Sequence, residues 1–257
     1  MSVITLTTDF GTRDWFAGTM KGVICRFAPE VPVIDLTHEV PPGDVRSGAF
    51  DLAAAVPYFP HGTIHIAVVD PGVGSARLAI ALRTAHAIFI GPDNGVLSWA
   101  VREEPVEEMR QLTNREWFLE PVSRTFHGRD IFAPVAARLA AGARFEEAGD
   151  PLDDFVRLPW PALKSGTRRA TGEIVHIDRF GNAITNLPAE IIPPESEVVR
   201  MRCGGTTVCA HACYSDVAPG EPLGLAGSSG LLELAVNGGD FADHFGVGEG
   251  DRVEAAW

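Results

Sequence analysis

The chain has 257 residues and a net charge of −13, from 21 Lys+Arg against 34 Asp+Glu, which argues against a nucleic-acid backbone as partner. Its 46% hydrophobic and 21% charged residues are those of a globular protein with one large core or two small ones. Four cysteines make no disulfide framework at this length, and there is no signal-peptide pattern and no apolar run of membrane-spanning length, so a cytoplasmic protein without membrane contact is expected.

The first strand is expected over residues 3–8, running out into Asp9-Phe10-Gly11. Between 15 and 27, apolar residues recur at helical spacing (Phe16, Met20, Val23, Ile24, Phe27), with Asp14 as N-cap. A strand over 31–36 leads into Thr37-His38-Glu39-Val40-Pro41-Pro42, and a helix is expected over 44–56. Residues 63–69, rich in β-branched side chains, read as a buried strand that ends in Asp70, where Pro71, Gly72 and Gly74 stop any regular structure. Asp70 therefore stands at the C-terminal lip of a strand, where open α/β sheets hold ligands. The next strand, 77–82, opens on Arg77, so a carboxylate and a guanidinium flank one Gly-rich loop and can pair across it. Alone, such a pair is a loop salt bridge. A strand over 87–91 empties into the turn Pro92-Asp93-Asn94-Gly95, and an apolar-faced helix over 128–140 closes the half. Alternating strands and helices make residues 1–150 an α/β domain with a mostly parallel sheet and flanking helices.

Residues 151–170, Pro-rich and aperiodic, read as a linker. Beyond them, 171–257 show short strands separated by turns: 173–177 and 183–187 around Arg179-Phe180-Gly181-Asn182, then 198–203 and 206–214 around Gly204-Gly205. With 231–236 and 252–255 they make an all-β domain, a small barrel.

Three motifs are set aside. Asp9-Phe10-Gly11 and His127-Gly128-Arg129-Asp130 echo kinase motifs in the wrong order and context. Cys203, Cys209, His211 and Cys213 suggest zinc, but no C-x-x-C is present and Cys209-x-His211-x-Cys213 alternates as a buried strand face does. The Gly72-x-Gly74 loop lacks a phosphate loop's third glycine and following helix.

Taken together, Thr8-Asp9-Phe10-Gly11, Asp70-Pro71-Gly72-Val73-Gly74 with Arg77, Pro92-Asp93-Asn94-Gly95, Phe126-His127-Gly128-Arg129-Asp130, Asp178-Arg179-Phe180-Gly181-Asn182 and Gly227-Ser228-Ser229-Gly230 resemble the S-adenosylmethionine hydroxide adenosyltransferase (SAM hydrolase) family, relatives of the nucleophilic fluorinase and chlorinase. The resemblance runs in order over nearly the whole chain. It implies an α/β N-terminal domain, a β-barrel C-terminal domain, and a homotrimer with the ligand between one subunit's N-domain and its neighbour's C-domain. The implied reaction is attack of water on the ribose C5′ of S-adenosylmethionine, giving adenosine and methionine with no metal and no cofactor.

That reaction turns a sulfonium into a neutral thioether, so it needs no general acid, only a positioned and partly activated water away from bulk solvent. By the resemblance, Asp70, Arg77 and His127 handle the water. Arg77 makes Asp70 a fixed charged acceptor and a poor base, while His127, with an ordinary pKa of about 6.5, is on paper the better proton acceptor. The division between them stays open. Asp9 is implied to accept from both ribose hydroxyls, with capping of the next helix as its competing use. Asn182 reads the adenine edge through an amide that offers donor and acceptor together, or simply forms the turn. Phe180 stacks on adenine or belongs to the core. Asp178 meets the methionine ammonium and Ser228 and Ser229 its carboxylate; Asn94, Glu233 and the backbone of Val236 complete the substrate contacts. Fluorinases carry Arg where Ser229 stands, so the Ser-Ser form favours a hydrolase and leaves the carboxylate without a cation. Two other functions compete. A chlorinase-type halogenase needs neutral donors around its halide, which an ionised Asp70 repels. A non-catalytic adenosine sensor has no use for Asp70, Arg77 and His127.

Overall fold

The computed structural model describes residues 2–192 and 198–257. The chain divides after Leu158 into two compact units.

In the first, β1 (Ile4–Thr8), β2 (Val33–Thr37), β3 (Thr63–Val68), β4 (Ala79–Arg83), β5 (Ala87–Pro92), β6 (Glu108–Leu112) and β7 (Gly149–Pro151) form one sheet in the order β2-β1-β3-β5-β4-β6-β7. The β1/β2, β1/β3 and β3/β5 pairs are parallel, and the β4/β5, β4/β6 and β6/β7 pairs antiparallel. The sheet is thus mixed rather than mostly parallel. The reason is local: β4 and β5 are joined by the turn at 84–86, far too short for a parallel crossover. β6 escaped the sequence reading because its residues are half-buried and polar, Glu-Met-Arg-Gln before Leu112, with no apolar alternation.

The central strand β3 is buried throughout, and mostly apolar, because both its faces are covered. Ile64, Ile66 and Val68 share a core with α1 (Phe16–Phe27) and α3 (Ala133–Ala140); Ala67 and Val69 share the other with Leu52 of α2 (Val45–Ala55). Each fully buried Ile or Leu here is worth roughly 1.5–3 kcal/mol of transfer free energy. Asp44 caps α2, accepting from the N–H groups of Arg46 at 3.1 Å and Ser47 at 3.0 Å. Asp14 does not cap α1: the cap position is Trp15, with no side-chain hydrogen bond. The helix expected from 128 begins as a wide π-helical turn, Gly128–Phe132, before α3.

In the second unit, β8 (Lys164–Ser165), β9 (Arg169–Ile177), β10 (Ala183–Pro188), β11 (Arg200–Cys203), β12 (Thr206–Cys209), β13 (Pro222–Ala226), β14 (Leu231–Val236) and β15 (Arg252–Ala256) pair in the order β12-β11-β15-β9-β10-β14-β13, with β8 on β9. A bridge between Ala210 and Gly224 joins the two ends of this antiparallel sheet, making it barrel-like and nearly closed. Gly204 and Gly205, at φ 55° and 81°, make the tight β11–β12 turn. The expected strand face through Cys209, His211 and Cys213 does not form. Asp216 takes the N–H groups of Ala212 and Cys213 at 3.1 and 3.2 Å and turns the chain, leaving Cys209 and Cys213 exposed. Among the described residues no helix is long and apolar enough to cross a membrane.

Candidate active site

β1 lies between β2 and β3, so the strand order reverses at β1, the kind of switch point at which open α/β sheets hold ligands beyond their C-terminal strand ends. Thr8 pairs with Val68, which brings Asp9 and Asp70 off the same sheet edge. Across the glycine loop, Arg77 Nε donates to both Asp70 carboxylate oxygens at 3.0 Å, and its Nη2 donates to Oδ2. Both side chains are nearly buried, 10% exposed for Arg77 and 5% for Asp70. The same Nη2 lies 2.8 Å from His127 Nδ1. A guanidinium only donates, so Nδ1 is assigned as acceptor and the ring proton belongs on Nε2. Burial and the neighbouring Arg77 push the His127 pKa below its ordinary value, against the opposing pull of Asp70, Asp130 and a backbone hydrogen bond at Ser123. His127 is therefore a neutral imidazole whose Nδ1 lone pair is occupied.

Buried Asp130 sets the loop before His127, accepting from Ser123 N at 2.8 Å and Arg129 Nε at 2.6 Å. Gly74, at φ +75°, lets the other loop close on it: a Cβ there would stand 2.3 Å from the Arg124 carbonyl oxygen. Asn94 braces the end of β3, its Nδ2 donating to Val69 O at 2.8 Å and its Oδ1 accepting from Val96 N at 3.2 Å. Asp9 does not cap α1; its Oδ2 accepts from Gly43 N at 2.8 Å. Beside it runs a relay that the sequence did not reveal, with Thr8 Oγ1 2.8 Å from His38 Nδ1 and His38 Nε2 3.0 Å from Asp35 Oδ1.

The remaining candidates lie in the second unit. Asp178 organises the β9–β10 turn: Oδ1 accepts from Phe180 N at 2.8 Å and Asn182 N at 2.9 Å, and Oδ2 from Asn182 Nδ2 at 2.9 Å. Asn182 is buried, whereas Phe180 is 73% exposed and so is not core. Phe180, Asn182, Val236 and Tyr214 line a cavity of ≈ 610 Å³. Tyr214, which nothing in its local pattern singled out, donates its hydroxyl proton to buried Glu233. Burial and Asp178 raise the Glu233 pKa, partly offset by that bond. Gly227 leaves room for this carboxylate, since a Cβ would sit 2.3 Å from Glu233 Oε2. Ser229 Oγ is buried with no hydrogen-bond partner among the described residues, as a hydroxyl kept for a ligand would be; Ser228 is exposed.

Comparison with known proteins agrees with this division. The model of the SAM hydroxide adenosyltransferase N-terminal domain matches residues 4–149, and that of the corresponding C-terminal domain matches 172–254. A Salinispora tropica protein named (R)-S-adenosyl-L-methionine hydrolase is 47% identical over 253 residues, covering 97% of this chain and 96% of its own. A fluorinase of Actinoplanes sp. is 30% identical over 213 residues, 72% of this chain and 71% of its own. The crystal structure of an uncharacterized conserved protein from Thermotoga maritima, 39% identical, superposes with a TM-score of 0.93 over 99% of this chain and 100% of that one.

Proposed function

This chain belongs to the SAM hydroxide adenosyltransferase family, and on that premise we propose that it hydrolyses S-adenosyl-L-methionine to adenosine and methionine. The observation that carries the reading is the grip of Arg77 on Asp70 and His127 at the C-terminal end of β3. A sulfonium leaves C5′ as a neutral thioether, so the protein has only to place a water in line with the departing sulfur. Asp70 is the charged acceptor that holds the water's proton, and Arg77 fixes its direction. His127, neutral and occupied at Nδ1, orients the guanidinium rather than acting as the base that its ordinary pKa suggested. Asp9 takes the ribose hydroxyls, while Phe180 and Asn182 take the adenine. Ser229 and Ser228 meet the methionine carboxylate, and Asp178 keeps an acidic field near its ammonium. The relatives' names specify the (R)-sulfonium, and that epimer is part of this reading. No step calls for a metal or cofactor, because the leaving group needs no Lewis acid. Four free cysteines suit a reducing cytoplasm.

The water-handling residues stand in one unit and the adenine-reading residues in the other, and we carry over the homotrimer, with sites completed between subunits, as part of the proposal. The halogenase alternative is disfavoured by the charge of Asp70 where a halide would sit. Incubation with each S-adenosylmethionine epimer, with and without chloride and a chelator, followed by chromatography, tests the reaction. Adenosine and methionine are expected under every condition. 5′-Chloro-5′-deoxyadenosine as main product, or loss of turnover on chelation, overturns it.

A further inference from the structure

Asn182 is surrounded by acceptors. Asp178 Oδ2, 2.9 Å from Asn182 Nδ2, is a carboxylate oxygen and accepts only. The Tyr214 hydroxyl oxygen lies 3.5 Å from the same Nδ2, and its proton is committed to Glu233 Oε1. With that proton engaged, Tyr214 faces the amide with a lone pair. Both neighbours demand the NH2 side, and Oδ1, which has no protein partner among the described residues, is left to the cavity.

We infer that Asp178, Tyr214 and Glu233 are positioning residues that lock the Asn182 amide with its oxygen toward the base, so that the site takes a purine with a 6-amino group and rejects one with a 6-oxo group. The inference rests on the nucleoside reading above and specifies how it discriminates. An amino group donates to Oδ1. An oxo group sets two acceptors against each other, and each is left without its hydrogen bond. Flipping the amide to rescue the mismatch is opposed by both neighbours, since Oδ1 would then face the Asp178 carboxylate and the Tyr214 lone pair, and removing either weakens the opposition. Glu233, on β14, acts one step back. Without its claim on the hydroxyl proton, Tyr214 can turn and donate to a flipped Oδ1, and the lock loosens. This gives a use to a buried carboxylate whose nearest electrostatic neighbours, Tyr214 and Asp178, include no cation.

Calorimetric titration of the protein with adenosine and with inosine tests the lock, using wild type, Tyr214→Phe and Glu233→Met. Tyr214→Phe keeps the ring against the cavity and removes only the hydroxyl; Glu233→Met keeps the side chain's length, removes the carboxylate that takes the hydroxyl proton, and alone decides if the first variant does not fold. Wild type is expected to prefer adenosine by about 100-fold or more, and each variant to narrow that ratio by about tenfold. An unchanged ratio in both variants, equal weakening of both nucleosides (a merely structural role), or no wild-type preference overturns the inference. Wild type that binds neither nucleoside instead refutes the nucleoside reading beneath it.

Discussion

At the scale of single residues, the two carboxylates at the ends of β1 and β3 have different partners, so they should fail differently. Asp70 is held by Arg77 and Asp9 by the Gly43 N–H; on the proposed reaction the first serves the transition state and the second the ribose. Asp70→Ala is expected to lower turnover by about 100-fold or more with adenosine affinity nearly intact. Asp9→Ala is expected to weaken adenosine at least tenfold, since each charge-assisted bond is worth roughly 1.5–3 kcal/mol. Steady-state rates beside calorimetric titrations check both; an Asp70→Ala protein that turns over normally but no longer binds adenosine reverses the assignment. His127 supplies a second test. Because Arg77 and burial lower its pKa, the imidazole stays neutral on acidification past its ordinary range, and protonating it places a cation against the guanidinium. Any loss of activity on the acid side that follows His127 should therefore begin below about pH 6.5. Nitrogen NMR of the ring at neutral pH should show the proton on Nε2; a proton on Nδ1 contradicts the geometry.

At the scale of elements, the site depends on how closely two loops approach. Loop 71–76 presses on the Arg124 backbone only because Gly74 has no Cβ and sits at φ +75°. Gly74→Ala meets both a left-handed backbone and a carbonyl oxygen. It is expected to cost about 1–3 kcal/mol of stability and to lower turnover further by separating Arg77 from His127. Denaturant unfolding and rate measurements on one preparation test this, and an unaltered rate would show that the approach of the loops does not set the triad. The π-helical turn at Gly128–Phe132 belongs to the same device. Phe132 places its ring 5.6 Å beneath the Arg77 guanidinium, and Gly128 lets Met20 of α1 come to 3.0 Å from where a Cβ would stand.

At the scale of the whole molecule, stability and assembly carry further predictions. His65, in the middle of β3, is 1% exposed, bonded to Thr5 Oγ1 at 2.7 Å and stacked on Phe89. Burial pushes its pKa down to about 4. The unfolded chain takes up a proton near pH 6.5 that the native state refuses, so stability falls as pH drops from about 6.5 to about 4, by ~3 kcal/mol in all. His65→Asn should flatten the stability profile over that window; an unchanged slope assigns it to other groups. For assembly, if sites are shared between subunits as proposed, Asp70→Ala and Asn182→Ala subunits should each be impaired alone and regain part of the activity when refolded together, since some mixed sites would then draw an intact residue from each. No recovery in mixtures that exchange subunits places each site within one chain.

The linear order of residues was enough to place several of the proposed site residues in the fold. A strand must end at Pro71 and Gly72, so Asp70 had to lie at a strand lip, and Gly204-Gly205 had to be a tight turn, because backbone sterics act within a few residues. Asp70 and Arg77 flank a loop too short to keep them apart. Tertiary structure alone decided what depends on distant pairing. The turn at 84–86 sends β4 back along β5 and makes the sheet mixed, and β6 and β7, half-exposed and polar, carry no periodic signature. Arg77 reaches His127 across fifty positions, which changes that histidine from an open base to an occupied neutral ring. Tyr214 meets Glu233 only because the chain turns at Asp216 instead of continuing as a strand. Local sterics and turn chemistry are written residue by residue, whereas the partner of a buried polar group is set by whichever element the hydrophobic cores bring beside it.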